Sequence, residues 1–128
     1  MKKRKVLIID DEEDLTFFVK ANLELIGNYE VIIATSGKEG VAIAASSDID
    51  IILLDIVMPK MDGFEVLDKI KKAKGTLSIP VIMLTAKGDI DSKIKAAGLY
   101  AEDYIVKPVQ IEILKAKIEE ALNRRGLE

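Results

Sequence analysis

The chain has 128 residues, the length of one ordinary domain, and 49% of them are hydrophobic, with 19 basic and 22 acidic side chains interspersed. This balance is typical of a globular protein and excludes a disordered or fibrous one, and the net charge of -3 argues against a broad surface for nucleic-acid backbones. Histidine and cysteine are both absent, so disulfides, thiolate or imidazole ligands and a histidine base are excluded, and any chemistry must use carboxylates, hydroxyls and amines.

Short apolar runs rich in β-branched residues alternate with longer segments whose apolar residues recur every three or four positions. In chain order this rhythm predicts a strand at 4–9, a helix at 13–26, a strand at 30–34, a helix at 37–46, a strand at 50–54, a helix at 63–73, a strand at 80–84, a helix at 89–98, a strand at 103–106 and a helix at 110–124. Ser36 and Glu39 have the spacing of a capping box at the start of the second helix. Each predicted strand is almost uniformly apolar, so both faces of the sheet must be covered.

Five strand–helix units with short connections predict an α/β fold. Right-handed crossovers would place helices on both faces of an open, doubly wound parallel sheet, in one domain over residues 1–128. Sheets of this kind bind ligands at the carboxyl ends of their strands. The residues that follow the strands are therefore candidates for a site: Asp10 and Asp11, Thr35, Asp55, Thr85 and Lys107.

The acidic candidates among these residues point to a metal and to phosphoryl chemistry. Three carboxylates at one edge of a sheet repel one another, and a divalent cation between them would relieve that repulsion. Because only oxygen ligands are available, Mg²⁺ is the expected ion, with Mn²⁺ as a substitute and the backbone carbonyl of Val57 as a further candidate ligand. A carboxylate can also be the nucleophile in covalent phosphoryl transfer, with Asp55 as the acceptor. The Thr85 hydroxyl and the Lys107 ammonium would then support the oxygens of the transferred group.

In this order and spacing the residues resemble the receiver domain of two-component response regulators. Four motifs carry the likeness, which covers essentially the whole chain: the acidic pair in VLIIDDE, the acid in LLDIVMPKMDG, the hydroxyl in VIMLTAK and the lysine in DYIVKP. The resemblance implies a flavodoxin-like fold of five βα units with strand order 2-1-3-4-5. It also implies that Asp10 and Asp11 hold Mg²⁺ with Asp55, and that Asp55 accepts a phosphoryl group from a histidine kinase or a histidine phosphotransfer protein.

The resemblance further implies a conformational switch. Thr85 and Lys107 would contact the acyl phosphate, the Lys107–Pro108 peptide bond would be cis, and Tyr104 would be the aromatic residue that moves inward when Asp55 is phosphorylated. The phosphorylated form would present an altered surface to a downstream protein, as a monomer or a phosphorylation-dependent dimer. Such a domain catalyses its own phosphorylation and dephosphorylation but is not a turnover enzyme.

Four alternatives stay open at this point. The length leaves no room for an output domain, so we expect a stand-alone cytoplasmic receiver of the chemotaxis or phosphorelay type, without direct contact with nucleic acid or a membrane. A receiver cut from a larger transcriptional response regulator or from a hybrid kinase would have the same sequence features. A haloacid-dehalogenase-type phosphatase would carry a second acid where Val57 lies. A non-catalytic flavodoxin-like binding module would not need the full acidic cluster.

Overall fold

A computed structural model describes residues 2–86, 98 and 101–125. Its centre is one sheet of five parallel strands: β1 (Arg4–Ile9), β2 (Tyr29–Ala34), β3 (Ile51–Asp55), β4 (Val81–Thr85) and β5 (Asp103–Val106). The strands lie in the order β2-β1-β3-β4-β5, so the chain reverses its direction of travel across the sheet between β1 and β3. The predicted strand order is confirmed, and the reversal is where a doubly wound sheet opens a binding crevice.

Four helices are present in the described part of the chain: α1 (Glu13–Ile26), α2 (Gly37–Ser46), α3 (Gly63–Lys72) and α4 (Ile111–Arg124). The bounds of these helices and of the strands agree with the predictions to within one residue. The helix predicted at 89–98 lies outside the described residues, except for residue 98. Among the described residues, no helix combines the length and the apolar character that crossing a bilayer requires.

Helices cover the sheet on both sides, and each side has its own hydrophobic core. One core joins β1 and β3 to α1 and α4: Val6, Ile8, Ile51, Leu53, Val19, Leu23, Leu114 and Ile118. The other core joins the same strands to α2 and α3: Leu7, Ile9, Ile52, Leu54, Ala44, Val66, Leu67 and Ile70. Alternate residues of a strand point to opposite faces, so the uniformly apolar strands are buried on both. The predicted doubly wound architecture is confirmed.

Polar side chains fix where two of the helices begin. The Ser36 hydroxyl accepts a hydrogen bond from the Glu39 N–H at 3.2 Å, but the Glu39 carboxylate accepts from the Thr35 N–H, one residue earlier than a capping box requires. At α3 the reciprocal pair is complete, between Asp62 and Glu65. This cap places the first turn of α3 directly after the loop that follows β3.

Candidate functional site

The carboxyl ends of four neighbouring strands bring the predicted side chains to one edge of the sheet. Asp10 follows β1, Asp55 is the last residue of β3, Thr85 is the last residue of β4, and Lys107 follows β5. The Lys107 N–H donates to the Thr85 carbonyl oxygen at 2.8 Å, which ties the end of β5 to the end of β4. Residues from four distant parts of the sequence therefore share one site.

Three carboxylates crowd together at this edge. Asp10, Asp11 and Asp55 each offer an oxygen within 4.8 Å of the others. Asp10 and Asp55 are buried, whereas Asp11 is exposed. Burial, and then the neighbouring charge of Asp10, raise the pKa of Asp55 to about 6. Burial also raises the pKa of Asp10. The repulsion predicted from the sequence is thus a property of the folded site.

Lys107 supplies the opposing charge. Its Nζ lies 3.2 Å from Asp10 Oδ2, 3.2 Å from Asp55 Oδ1 and 2.9 Å from Glu12 Oε1. Burial alone would lower the pKa of Lys107, but the hydrogen bond to Glu12 and the charges of Asp10 and Asp55 outweigh it, so the pKa is raised. Lys107 is therefore a fixed cation at neutral pH. Its peptide bond to Pro108 is cis, as predicted.

Among the described residues, Glu12 is the one ion-pair partner of Lys107 that the sequence did not predict. The available signal was the third acid of the VLIIDDE motif, directly after the acidic pair. Nothing in the spacing distinguishes Glu12 from the equally acidic Glu13 and Asp14 that follow. Its role depends on the direction in which one exposed side chain points.

The donor set of the cluster fits a hard divalent cation. Asp10 Oδ1 accepts a hydrogen bond from the Glu12 N–H at 2.9 Å. Asp10 Oδ2 is buried and receives no hydrogen bond from any described residue, although Lys107 Nζ lies 3.2 Å away as an ion pair. A buried acceptor without a donor, in a group of oxygen ligands, is what Mg²⁺ satisfies in proteins. The residues present therefore fit the ion that the sequence predicted.

Val57 and Thr85 are the two remaining residues predicted for this site, one following β3 and the other ending β4. Burial raises the pKa of Asp55, and the nearby Val57 backbone N–H partly opposes that rise, while Val57 itself is 74% exposed. Thr85 is buried, and its hydroxyl donates to the Ala86 carbonyl oxygen at 3.3 Å. Because β4 and β3 are hydrogen-bonded neighbours, Thr85 lies beside the end of the strand that carries Asp55.

Tyr104 lies on β5, away from the cluster but on the face of the sheet that Thr85 occupies. Tyr104 is in register with Met83, and Thr85 with Val106. Residues two apart on a strand point to the same face, so Tyr104 and Thr85 are on one side of adjacent strands. The Tyr104 side chain is 39% exposed, and the Lys117 ammonium lies 5.8 Å from its ring centroid. Tyr104 and Thr85 therefore share one face of the sheet on neighbouring strands.

The flavodoxin-like sheet and the aspartate–lysine cluster at its carboxyl edge define a class of signalling domain, and sequence comparison shows which class it is. The chain belongs to the response regulator receiver domain family, whose profile matches residues 6–119. Phosphorylation and magnesium binding at an aspartate cluster are general features of this family.

Relatives and solved structures agree with this assignment. The DNA-binding dual master transcriptional regulator RpaA of Synechocystis is 40% identical over 120 residues, covering 94% of this chain and 49% of RpaA. A response regulator receiver domain protein from Clostridium thermocellum is 39% identical, with a TM-score of 0.88 over 97% of this chain and 98% of that one. The chemotaxis protein CheY4 of Vibrio cholerae is 31% identical, with a TM-score of 0.88 over 94% of this chain and 99% of that one. The chain thus spans about half the length of the curated relatives it matches.

Proposed function

We propose that this receiver domain is a phosphorylation switch in which Asp55 is the acceptor. One observation carries the proposal: the Lys107 ammonium lies 3.2 Å from Asp55 Oδ1, inside a group of three carboxylates whose oxygens lie within 4.8 Å of one another. The pKa of Asp55 is about 6, so its carboxylate is largely ionised and nucleophilic at neutral pH. A fixed cation beside a nucleophilic carboxylate suits transfer of an anionic group.

In the proposed reaction an Asp55 carboxylate oxygen attacks the phosphorus of a phosphohistidine on a histidine kinase or a histidine phosphotransfer protein. The phosphorus–nitrogen bond breaks, its electron pair stays on the imidazole nitrogen, and that nitrogen takes up a proton. The new phosphorus–oxygen bond makes an acyl phosphate on Asp55, and Asp55 itself loses no proton. Lys107 neutralises one phosphoryl oxygen, and the Thr85 hydroxyl donates a hydrogen bond to another.

The metal in this proposal is Mg²⁺, with Mn²⁺ as a substitute. Asp10, Asp11 and Asp55 would hold it, together with the backbone carbonyl of Val57. When bound, the ion supplies positive charge that stabilises the phosphoryl oxygens during transfer. The buried Asp10 Oδ2, which receives no hydrogen bond from the described residues, supports this assignment.

The proposed signal is a change in the surface around β5. A phosphoryl group on Asp55 attracts the Thr85 hydroxyl, and the space that Thr85 leaves on its face of the sheet lets Tyr104 turn inward. The bistable element is then the Tyr104 side chain, and phosphorylation shifts its population. A downstream protein, or a second copy of the domain, would read the altered surface.

The relatives favour a second candidate for the output. The chain covers about half of RpaA and half of a probable transcriptional regulator, ycf27, of Porphyridium aerugineum. An output domain on the same polypeptide would then read the switch, in place of a separate protein. The open reading frame that encodes this segment in its genome distinguishes the two.

Incubation with Mg²⁺ and acetyl phosphate, followed by intact mass, tests the function. We expect a single phosphoryl adduct that Asp55→Asn abolishes, that EDTA prevents, and that Asp68→Asn leaves unchanged, because Asp68 is a half-exposed acid paired with Lys72 on α3. Repeated turnover of phosphomonoesters would instead identify a phosphatase. No adduct, either from acetyl phosphate or from a phosphorylated histidine phosphotransfer protein, would identify a binding module and contradict the proposal.

A further inference from the structure

The Lys107 ammonium has three carboxylate neighbours, and their side chains differ in how easily they can move away from it into solvent. Glu12 Oε1 accepts a hydrogen bond from Lys107 at 2.9 Å, whereas the nearest oxygens of Asp10 and Asp55 lie at 3.2 Å. The Asp10 side chain is fully buried and that of Asp55 is 7% exposed, while the Glu12 side chain is 60% exposed. Glu12 can therefore swing into solvent without disturbing the core, and the two aspartates cannot.

The backbone of Glu12 is held in place, but its carboxylate takes no part in starting α1. Glu12 is the N-cap residue of α1, a position from which an acidic side chain commonly accepts a hydrogen bond from the first turn. No such bond is present. The Glu12 N–H donates to Asp10 Oδ1, which fixes the backbone beside the cluster. The side chain reaches instead across 95 positions of sequence to Lys107.

This contact conflicts with phosphorylation. The Lys107 ammonium donates a hydrogen bond to Glu12, while the carboxylates of Asp10 and Asp55 lie beside it as ion pairs at 3.2 Å. A phosphoryl group on Asp55 needs a hydrogen bond from the same ammonium and brings further negative charge to the pocket. Of the three carboxylates, Glu12 is the one that can move away from Lys107 to lower the negative charge around it, because its side chain is exposed.

We propose that Glu12 is a positioning residue that restrains phosphorylation by occupying Lys107 until a phosphoryl oxygen replaces it. The inference rests on the proposed function, because it assumes that Asp55 is the acceptor and that Lys107 supports the transferred group. Glu12 acts in two ways: it withholds a donor from the incoming phosphoryl oxygen, and its charge repels the anionic phosphoryl donor.

The test compares two variants with the same change in net charge. Glu12→Gln removes the charge next to Lys107, and Glu13→Gln removes the charge of the next residue, which is exposed and has no ion pair among the described residues. The donor is acetyl phosphate at saturating Mg²⁺: an Asp55 oxygen attacks the phosphorus, the bond to the acetyl oxygen breaks, and acetate leaves with the electron pair. No proton is transferred.

We expect the adduct to form roughly three to five times faster in Glu12→Gln than in the parent, the size that loss of one partly exposed charge contact gives. Glu13→Gln should stay within about twofold of the parent, since its charge is screened by solvent. A second readout does not depend on transfer. Titration with trifluoroberyllate, a non-covalent phosphoryl analogue, should show tighter binding to Glu12→Gln by a similar factor.

The outcomes separate the two proposals. Equal rates and equal analogue affinities for Glu12→Gln and Glu13→Gln would overturn the role of Glu12 alone. A slower Glu12→Gln would also overturn it, because it would show that Glu12 prepares Lys107 for transfer instead of competing for it. A parent protein that takes up no phosphoryl group would overturn the proposed function itself.

Discussion

Ionisation of Asp55 lowers the free energy of unfolding. Burial and the Asp10 carboxylate raise the pKa of Asp55 to about 6, above the ordinary value of 3.8. Between about pH 4 and 6 the folded protein therefore binds more protons at Asp55 than the unfolded chain does, and the free energy of unfolding falls as pH rises through this window. In EDTA at pH 7, Asp55→Asn should be more stable than the parent by on the order of 2 kcal/mol. Urea unfolding measures this difference.

Two controls make this prediction specific. The gain of Asp55→Asn should shrink at pH 4.5, where the parent carboxyl is largely protonated. Mg²⁺ should stabilise the parent more than the variant, because a ligand that binds only the folded state stabilises it more the more tightly it binds. Asp68→Asn, which changes a half-exposed acid on α3, should change stability little. A variant no more stable than the parent at pH 7 without metal would contradict the electrostatic account.

Val57 should set how long the phosphoryl group survives. Its side chain is 74% exposed two residues after Asp55, and an apolar side chain cannot orient a water molecule for attack on the acyl phosphate. Val57→Asn supplies a hydrogen-bonding amide there, and one hydrogen bond of about 1 kcal/mol corresponds to roughly fivefold in rate. We expect faster loss of the adduct in a time course of intact mass. Val57→Leu is the control, and an equal lifetime for Val57→Asn would refute the idea.

At the scale of elements, α3 must approach the end of β3 closely, and Gly63 permits it. The Gly63 N–H donates to the Ile56 carbonyl oxygen at 2.7 Å. A Cβ at this position would overlap the Asp55 carbonyl oxygen and lie 2.7 Å from the Ile56 Cα. Gly63→Ala should therefore lower the free energy of unfolding by roughly 1–3 kcal/mol, as overpacking does. It should also slow phosphorylation, because the residue that carries the acceptor must shift.

Gly75→Ala is the matched control for Gly63, since a Cβ at Gly75 meets nothing within 4 Å and its backbone conformation is not left-handed. We expect Gly75→Ala to be neutral or slightly stabilising through the unfolded chain. Chemical denaturation compares the two variants with the parent. Equal stability of Gly63→Ala and the parent would contradict the prediction, because it would show that the backbone at Asp55 and Ile56 can shift to fit a Cβ at little cost.

The elements themselves were predictable because their signals are local. Hydrophobic periodicity and turn residues lie within each segment, so five strands and four helices were predicted to within one residue. The remaining errors come from tertiary contacts. Tyr29 joins β2 because it lies in register with Arg4 of β1, and Glu39 turns to the Thr35 N–H instead of completing a capping box with Ser36. Pairing with another strand and the choice between two nearby N–H groups are decided by the fold.

At the scale of the whole molecule, the convergence of Asp10, Asp55, Thr85 and Lys107 was predictable from topology alone. Carboxyl ends of parallel strands meet at one edge, so residues just past those strands must be neighbours. The repulsion that helps to raise the pKa of Asp55 was also predictable from this crowding, but the contact between Glu12 and Lys107 was not. That contact depends on the direction of an exposed side chain, which no spacing in the sequence specifies.

Glu102 also joins parts of the molecule that are distant in sequence, through its contacts with Arg124 and Arg125. Its carboxylate accepts from Arg124 Nε at 2.8 Å and Arg125 Nη2 at 3.0 Å, and Arg125 also donates to the Ser78 carbonyl oxygen at 2.6 Å. The end of α4 is thereby tied to the segments before β4 and β5. Burial opposes the charge of Glu102, but the hydrogen bonds from Arg124 and Arg125 outweigh it, so its pKa lies below the ordinary value of 4.5.

A carboxylate with a depressed pKa adds stability above the unfolded value and loses it as the pH falls below it. Glu102→Gln should therefore lower the free energy of unfolding by about 1 kcal/mol at pH 7, and the difference from the parent should narrow as the pH falls below about 4.5. Glu120→Gln is the control, because Glu120 contacts Arg124 from an exposed position one turn earlier on α4. Urea unfolding at pH 7 and at pH 3.5 measures both variants. A difference that stays constant with pH would mean that Glu102 contributes by packing and not by its charge.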